Sequence, residues 1–163
     1  MVNEISLELR SINAQVVVVN ESITILSFLE MLEKVFHNQV QYSCLLLSFV
    51  HLMQQNKIIS NRYKQTENDR NAVISTNIGA LVKADYLITK EDGDVEFLTS
   101  SLALIMRFWI SEAVVSFNYM SEQEQIKYYL SLIMKLLSNY ATDKGITEIK
   151  EFERRLKRVL PSN

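Results

Sequence analysis

The chain has 163 residues, 48% apolar and 22% charged, the mix of a soluble globular domain with one well-buried core. Its formal net charge of −2 supplies no general attraction to phosphate, so composition makes no case for nucleic-acid binding. The lone cysteine, Cys44, excludes an intrachain disulfide and suits a reducing cytoplasm, and the opening Met-Val-Asn-Glu-Ile-Ser lacks the basic-then-apolar order of a secretory signal.

Three glycines and one proline leave few places to break the chain, which favours long helices. Val2, Ile5, Leu9, Ile12 and Val16 recur in steps of three and four, one face of a first helix with only Asn3 to cap it. Because that pattern starts almost at the first residue, the helix is expected to continue from something upstream. Val16 to Val19 is a weak strand candidate, and Asn20-Glu21-Ser22 reads as a break.

A second helix carries Ile25, Phe28, Leu29, Leu32, Val35, Phe36 and Val40 on one face. A third, from about Tyr42 to Gln54, holds Leu45, Leu46, Leu47, Phe49, Val50, Leu52 and Met53, so little polar surface remains and a central position is expected. Asn56 is the predicted N-cap of a fourth helix reaching to about Tyr86. Its ends are apolar at Ile59, Tyr63, Ile74, Ile78, Leu81 and Val82, while Lys64 to Asn71 is strongly polar and must face water or fill a functional gap.

Thr89 to Gly93 is the clearest turn. Roughly Thr99 to Tyr119 then forms a fifth helix, apolar nearly all round through Leu102, Leu104, Ile105, Phe108, Trp109, Ile110, Val114, Val115 and Phe117. Arg107 and Glu112 near the middle of its most apolar part argue for a buried helix and against a membrane span. Ser121 with Glu124 matches a capping box opening a sixth helix, whose stripe is Ile126, Tyr129, Leu130, Ile133, Leu137 and Tyr140, broadened by Leu132 and Leu136. Gly145 is the expected left-handed terminator of that helix, and Thr147 to Leu160 reads as a last amphipathic helix before Pro161. The expectation is a single all-α domain over 1–163, a bundle of six to seven helices.

The fifth and sixth helices exceed the one apolar stripe that a bundle helix needs. A second copy of the chain is the simplest cover, giving a two-fold four-helix interface with Leu104, Trp109, Val115, Ile126, Tyr129, Leu130, Ile133, Leu137 and Tyr140 as candidates. The competing reading makes the fifth helix the central core helix.

Signatures of catalysis are missing: no Gly-rich phosphate loop, no G-x-S-x-G elbow and no H-E-x-x-H motif. No cofactor or metal is expected, and the chain is not read as an enzyme. His51, among Val50, Leu52 and Met53, reads as a hydrogen-bonded core histidine, His37 as a surface residue and Cys44 as a small core filler. The tail has Lys150, Arg154, Arg155, Lys157 and Arg158, but Glu148, Glu151 and Glu153 cancel much of their field; helix-surface ion pairs explain it better than nucleic acid.

What remains is a set of large, adaptable side chains on neighbouring predicted helices: Phe28, Met31, Phe36, Tyr42, Phe49, Met53, Tyr63, Phe108 and Trp109. Ligand pockets are lined this way, and so are helical cores.

The run Glu30-Met-Leu-Glu-Lys-Val-Phe36, then Tyr42 through Leu-Leu-Leu-Ser-Phe-Val-His-Leu-Met-Gln-Gln-Asn56, then Arg62-Tyr63 with Arg70, resembles the carboxy-terminal domain of TetR/AcrR-family bacterial regulators. Arg107-Phe-Trp-Ile-Ser111 and Leu136-Leu-Ser-Asn-Tyr140, with Thr142 and Gly145, resemble that family's final helices. The resemblance covers most of the chain. It implies a cytoplasmic transcription regulator whose helical domain takes a small hydrophobic or amphipathic effector among the helices with Phe28, Phe49, Tyr63 and Trp109. It also implies a homodimer built by the Leu102–Tyr119 and Ile126–Tyr140 helices. The family's amino-terminal helix-turn-helix unit has no counterpart in the sequence, whose first helix is not basic, so DNA contact is expected only through that missing domain. The chain then reads either as a fragment of a longer regulator or as a natural protein without a DNA reader, the abrupt start favouring the first. The alternative is a stand-alone helical adaptor that binds another protein and no small molecule.

Overall fold

Thr24 and Ser27 close a capping box: the Ser27 amide donates to Thr24 Oγ1 at 3.1 Å, and the Thr24 amide to Ser27 Oγ at 3.0 Å. With two orphan amides satisfied there, α1 (Ile25–Gln41) starts without fraying. Its expected stripe is its buried face, with Ile25, Phe28, Leu29, Leu32, Val35 and Phe36 all but inaccessible to water. α1 packs on α6 (Glu122–Ser138) and α7 (Asp143–Arg158), and those three helices hold most of the large core side chains. Glu148 of α7 reaches back to accept the Leu26 amide at 2.9 Å, and Arg155 pairs with Glu30.

This computed structural model describes residues 23–158, in which seven α-helices and one isolated bridge make up the regular structure. The architecture is the expected all-α bundle. The first predicted helix, the strand candidate at Val16–Val19, the break before residue 23 and the end of the last predicted helix lie outside the described residues.

Three expectations need correction. The helix predicted over Tyr42–Gln54 is two short ones, α2 (Ser43–Leu47) and α3 (Phe49–Gln55), parted at Ser48. Neither is central: only Phe49 is buried, because α2 lies against α5 and α3 against α4 while their outer sides stay uncovered. His51 and Cys44 are accordingly exposed rather than in the core, and His37 is exposed as expected.

α4 (Lys57–Lys83) begins at Asn56, whose Oδ1 accepts the Ile58 and Ile59 amides. The second correction concerns the start of α5 (Asp94–Ser116), five residues before Thr99. Gly93 takes a left-handed φ of 96°, and Asp94 Oδ2 accepts the amides of Lys90 at 2.7 Å and Glu91 at 2.9 Å. The turn is thus tied to the helix start, and Val95 to Leu98 follow as helix. α6 opens with the expected box: Ser121 donates its amide to Glu124 Oε2 at 2.7 Å, and the Glu124 amide donates to Ser121 Oγ.

The third concerns Gly145. α6 ends at Ser138, and Gly145 sits buried in the first turn of α7. A Cβ there would overlap the Tyr86 carbonyl oxygen and lie 3.0 Å from Ile25 Cδ1. Close approach, not a left-handed cap, is what requires glycine. That approach is part of a seam in which Leu87 bridges Ala141, the Ile88 amide donates to the Tyr140 carbonyl at 2.7 Å and the Thr142 amide to the Tyr86 carbonyl at 3.0 Å.

Candidate functional site

α4 and α5 form the most extensive helix pair, and along it the inner face of α4 changes character. Ile74, Ile78 and Leu81 are fully buried at its carboxy-terminal end. Asn77, 1% exposed, lies among them, and moving back by helical turns the same stripe presents Arg70, 6% exposed, then Tyr63 and Ile59. Steps of three, four and seven put all of them on one side, so folding α4 onto α5 buries the polar members with the apolar ones.

Arg70 is the unusual member. Its Nη1 donates to Tyr63 Oη at 3.4 Å and its Nη2 to Asn71 Oδ1 at 3.3 Å, both near the outer limit of a hydrogen bond, and its buried Nε has no partner. No ion pair to Arg70 occurs among the described residues. Across the interface Arg107 of α5 pairs with Glu67 of α4, both partly buried. The Arg107 guanidinium lies 5.6 Å from the Tyr63 ring centroid and 5.7 Å from that of Phe108, and its own Nε is also unpartnered. Tyr63 therefore stands between two guanidiniums, of which only Arg107 is paired with a carboxylate. On its other side it meets Phe49 edge to face, ring centroids 4.4 Å apart.

A second polar contact is complete. Trp109 donates Nε1–H to Gln39 Oε1 at 2.6 Å, and Gln39 Nε2 donates to the Met106 carbonyl at 3.0 Å. Trp109 also lies between Phe36 and Tyr129, at 5.1 and 5.6 Å between centroids. That contact locks α1, α5 and α6 together.

The nine ligand candidates thus fall into two groups. Phe28, Phe36 and Trp109 are interior to the main core, and Met31 packs half-buried on it. Phe49 and Tyr63 stack beside Arg70, Tyr42 and Met53 join Leu45 around Ile59 in a smaller apolar cluster, and Phe108 is half-buried next to Arg107. Sequence reasoning missed Arg70, Glu67, Arg107 and Gln39. The signal for Arg70 was present: it lies seven residues after Tyr63 and four before Ile74, on the apolar stripe of a helix whose polar middle is expected to face water or fill a functional gap.

The interface candidates divide as well. Trp109, Ile126, Tyr129, Leu130, Ile133 and Leu137 are used up inside the subunit's own core, and Tyr140 is half-buried. Periodicity picks the stripe that packs inward. Leu104 and Val115, 59% and 80% exposed, lie three turns apart on the outer side of α5, with Phe97 two turns before Leu104. By length and composition alone α5 could cross a membrane, but Leu98, Leu102, Ala103, Met106, Trp109, Ile110 and Ala113 bury one side of it in the bundle.

The bundle thus places an incompletely paired polar cluster between its two longest helices, and no group of three potential metal ligands gathers among the described residues. A model of the TetR family, described as bacterial transcriptional repressor, matches residues 9–149. The chain belongs to that family of transcriptional regulators. Comparison with curated proteins gave no match.

Proposed function

We propose that the chain is an effector-sensing and dimerising domain of a cytoplasmic TetR-family regulator, taking a small hydrophobic or amphipathic molecule between α3, α4 and α5. The observation that carries the reading is the cluster around Tyr63. Buried polar atoms are as a rule paired, and three of the six unpartnered ones among the described residues, Arg70 Nε, Arg107 Nε and Asn77 Nδ2, lie on α4 and α5, two of them on guanidiniums beside Tyr63. The flexible and aromatic walls supplied by Tyr42, Phe49, Met53 and Phe108 suit an adaptable pocket. An effector would act by preferring one arrangement of α4 against α5, and through it one placement of whatever these helices carry. We assign no DNA contact to residues 23–158: the basic residues of α7 are interleaved with acids, and Lys157 is paired with Glu153.

The outer side of α5, with Phe97, Leu104 and Val115 exposed, supports a second copy as the partner, because one-sided apolar stripes on a soluble helix call for a cover. The same face also suits a different protein, which is the adaptor reading. Light scattering at micromolar concentration separates them: a dimer is expected, and Val115→Arg with Leu104→Arg should give a folded monomer. A wild-type monomer removes the dimer proposal. For the pocket, a thermal-shift screen of amphipathic small molecules should find stabilisers that lose their effect in Tyr63→Ala, whereas a solid core indifferent to all of them favours the adaptor.

A further inference from the structure

The chemistry around Arg70 says more than that a ligand binds. A guanidinium keeps its charge at any physiological pH, and taking it out of water is costly unless an anion accompanies it. Arg70 is 6% exposed, yet what it touches is a phenol and an amide, both neutral, at 3.4 and 3.3 Å. The nearest acid on the same face, Glu67, one turn back, is committed to Arg107. The one anion of the cluster is taken by Arg107, so the buried Arg70 carries a positive charge with no acid paired to it.

We propose that this charge is completed by the ligand, and that the effector is a carboxylate-bearing aromatic or amphipathic molecule whose head group pairs with Arg70. Nε and a terminal nitrogen of a guanidinium form a planar fork that matches the two oxygens of a carboxylate. Nε is the unpartnered atom, and the bonds at 3.3 and 3.4 Å are weak enough to yield. The Tyr63 hydroxyl accepts from Arg70 Nη1, and its ring joins the guanidinium to Phe49. A flat or flexible apolar body would then run toward Tyr42, Leu45 and Met53.

This rests on the effector reading above, and the test separates the two. The probes are benzoate, phenylacetate and octanoate, each beside its primary amide, titrated into the full chain by calorimetry and thermal shift. At least one carboxylate is expected to bind, with its amide at least tenfold weaker. Arg70→Gln should abolish that preference, and Glu67→Gln, which frees a second guanidinium, should strengthen carboxylate binding. Arg70→Leu should hold or raise the ligand-free Tm, because removing an unpaired buried charge relieves the fold. Should these variants fail to fold, Arg70→Lys keeps the charge without the fork, and weaker carboxylate binding is expected of it. Equal binding of acids and amides, unchanged by Arg70→Gln or Arg70→Lys, overturns the carboxylate assignment and leaves the effector reading intact. Binding by none of the six overturns the carboxylate assignment and removes the support that this cluster gives to effector binding.

Discussion

The two sides of this bundle solve opposite problems. Where α1 meets α6 and α7, nearly every inward side chain is apolar; Gln39 is matched to both Trp109 and the Met106 carbonyl, and the polar atoms left without a partner there, Asn38 Nδ2, Lys127 Nζ and Tyr129 Oη, include no guanidinium. Where α3 and α4 meet α5, a buried arginine lacks an anion and a tyrosine joins two guanidiniums. The first region is held by dense apolar packing. The second leaves a buried charge without a counter-ion, and it is on that difference in charge that the proposed effector site rests.

That contrast breaks most directly at Phe36. Its ring is fully buried and packs on Trp109. Phe36→Ala should cost about 3–5 kcal/mol, the loss of transfer free energy plus a cavity that rigid neighbours cannot close. Equilibrium denaturation reads this as a lower midpoint at unchanged slope. Arg70→Leu, equally buried but in the other region, should cost nothing. A comparable loss in both variants would mean that Arg70 is a structural residue and that the division between the regions is false.

Gln39 tests the boundary. Gln39→Leu is close in volume but leaves the Trp109 indole N–H unmatched in the interior and removes the side-chain bond to the Met106 carbonyl. About 1–3 kcal/mol of destabilisation is expected, with a changed Trp109 emission as a local readout. Little change in either would indicate that water replaces the amide, and that the satisfied region is less closed than its packing suggests.

The fold was legible because helix physics is local. Steps of three and four, the Ser121–Glu124 box and Asn56 as N-cap each translate into the observed helices. What failed depended on packing. Tyr42 to Gln54 reads as a core helix by composition, but whether an apolar run is covered depends on what lies over it, and α2 and α3 are covered on one side only. Gly145 was misread for the same reason, since its need for glycine comes from the Tyr86 carbonyl, more than fifty residues away. The site was half legible: the polar middle of α4 announced a gap, but only the pairing of Glu67 with Arg107 shows that Arg70 has been left without an acid. The aromatic candidates were chosen by size, a property that core and pocket share, so they scattered across both regions.

The smallest expected effect lies on the seam outside both regions, at Asp94. Hydrogen bonds from the Glu91 and then the Lys90 backbone amides hold its carboxyl below its ordinary range. Burial, and then the charge of Asp94, raise the Tyr140 phenol, which donates to Asp94 Oδ1 at 3.4 Å. Because the folded-state pKa of Asp94 is the lower one, its contribution is complete above the unfolded value of about 3.9 and is lost as pH falls through the folded value. Asp94→Asn keeps an acceptor oxygen but removes the charge. Its Tm should lie slightly below that of the wild type at pH 7, and the gap should close as both are titrated from pH 5 toward pH 2. A gap that stays constant over that range would show that the turn is held by geometry alone. The seam would then belong with the side of the bundle that apolar packing holds.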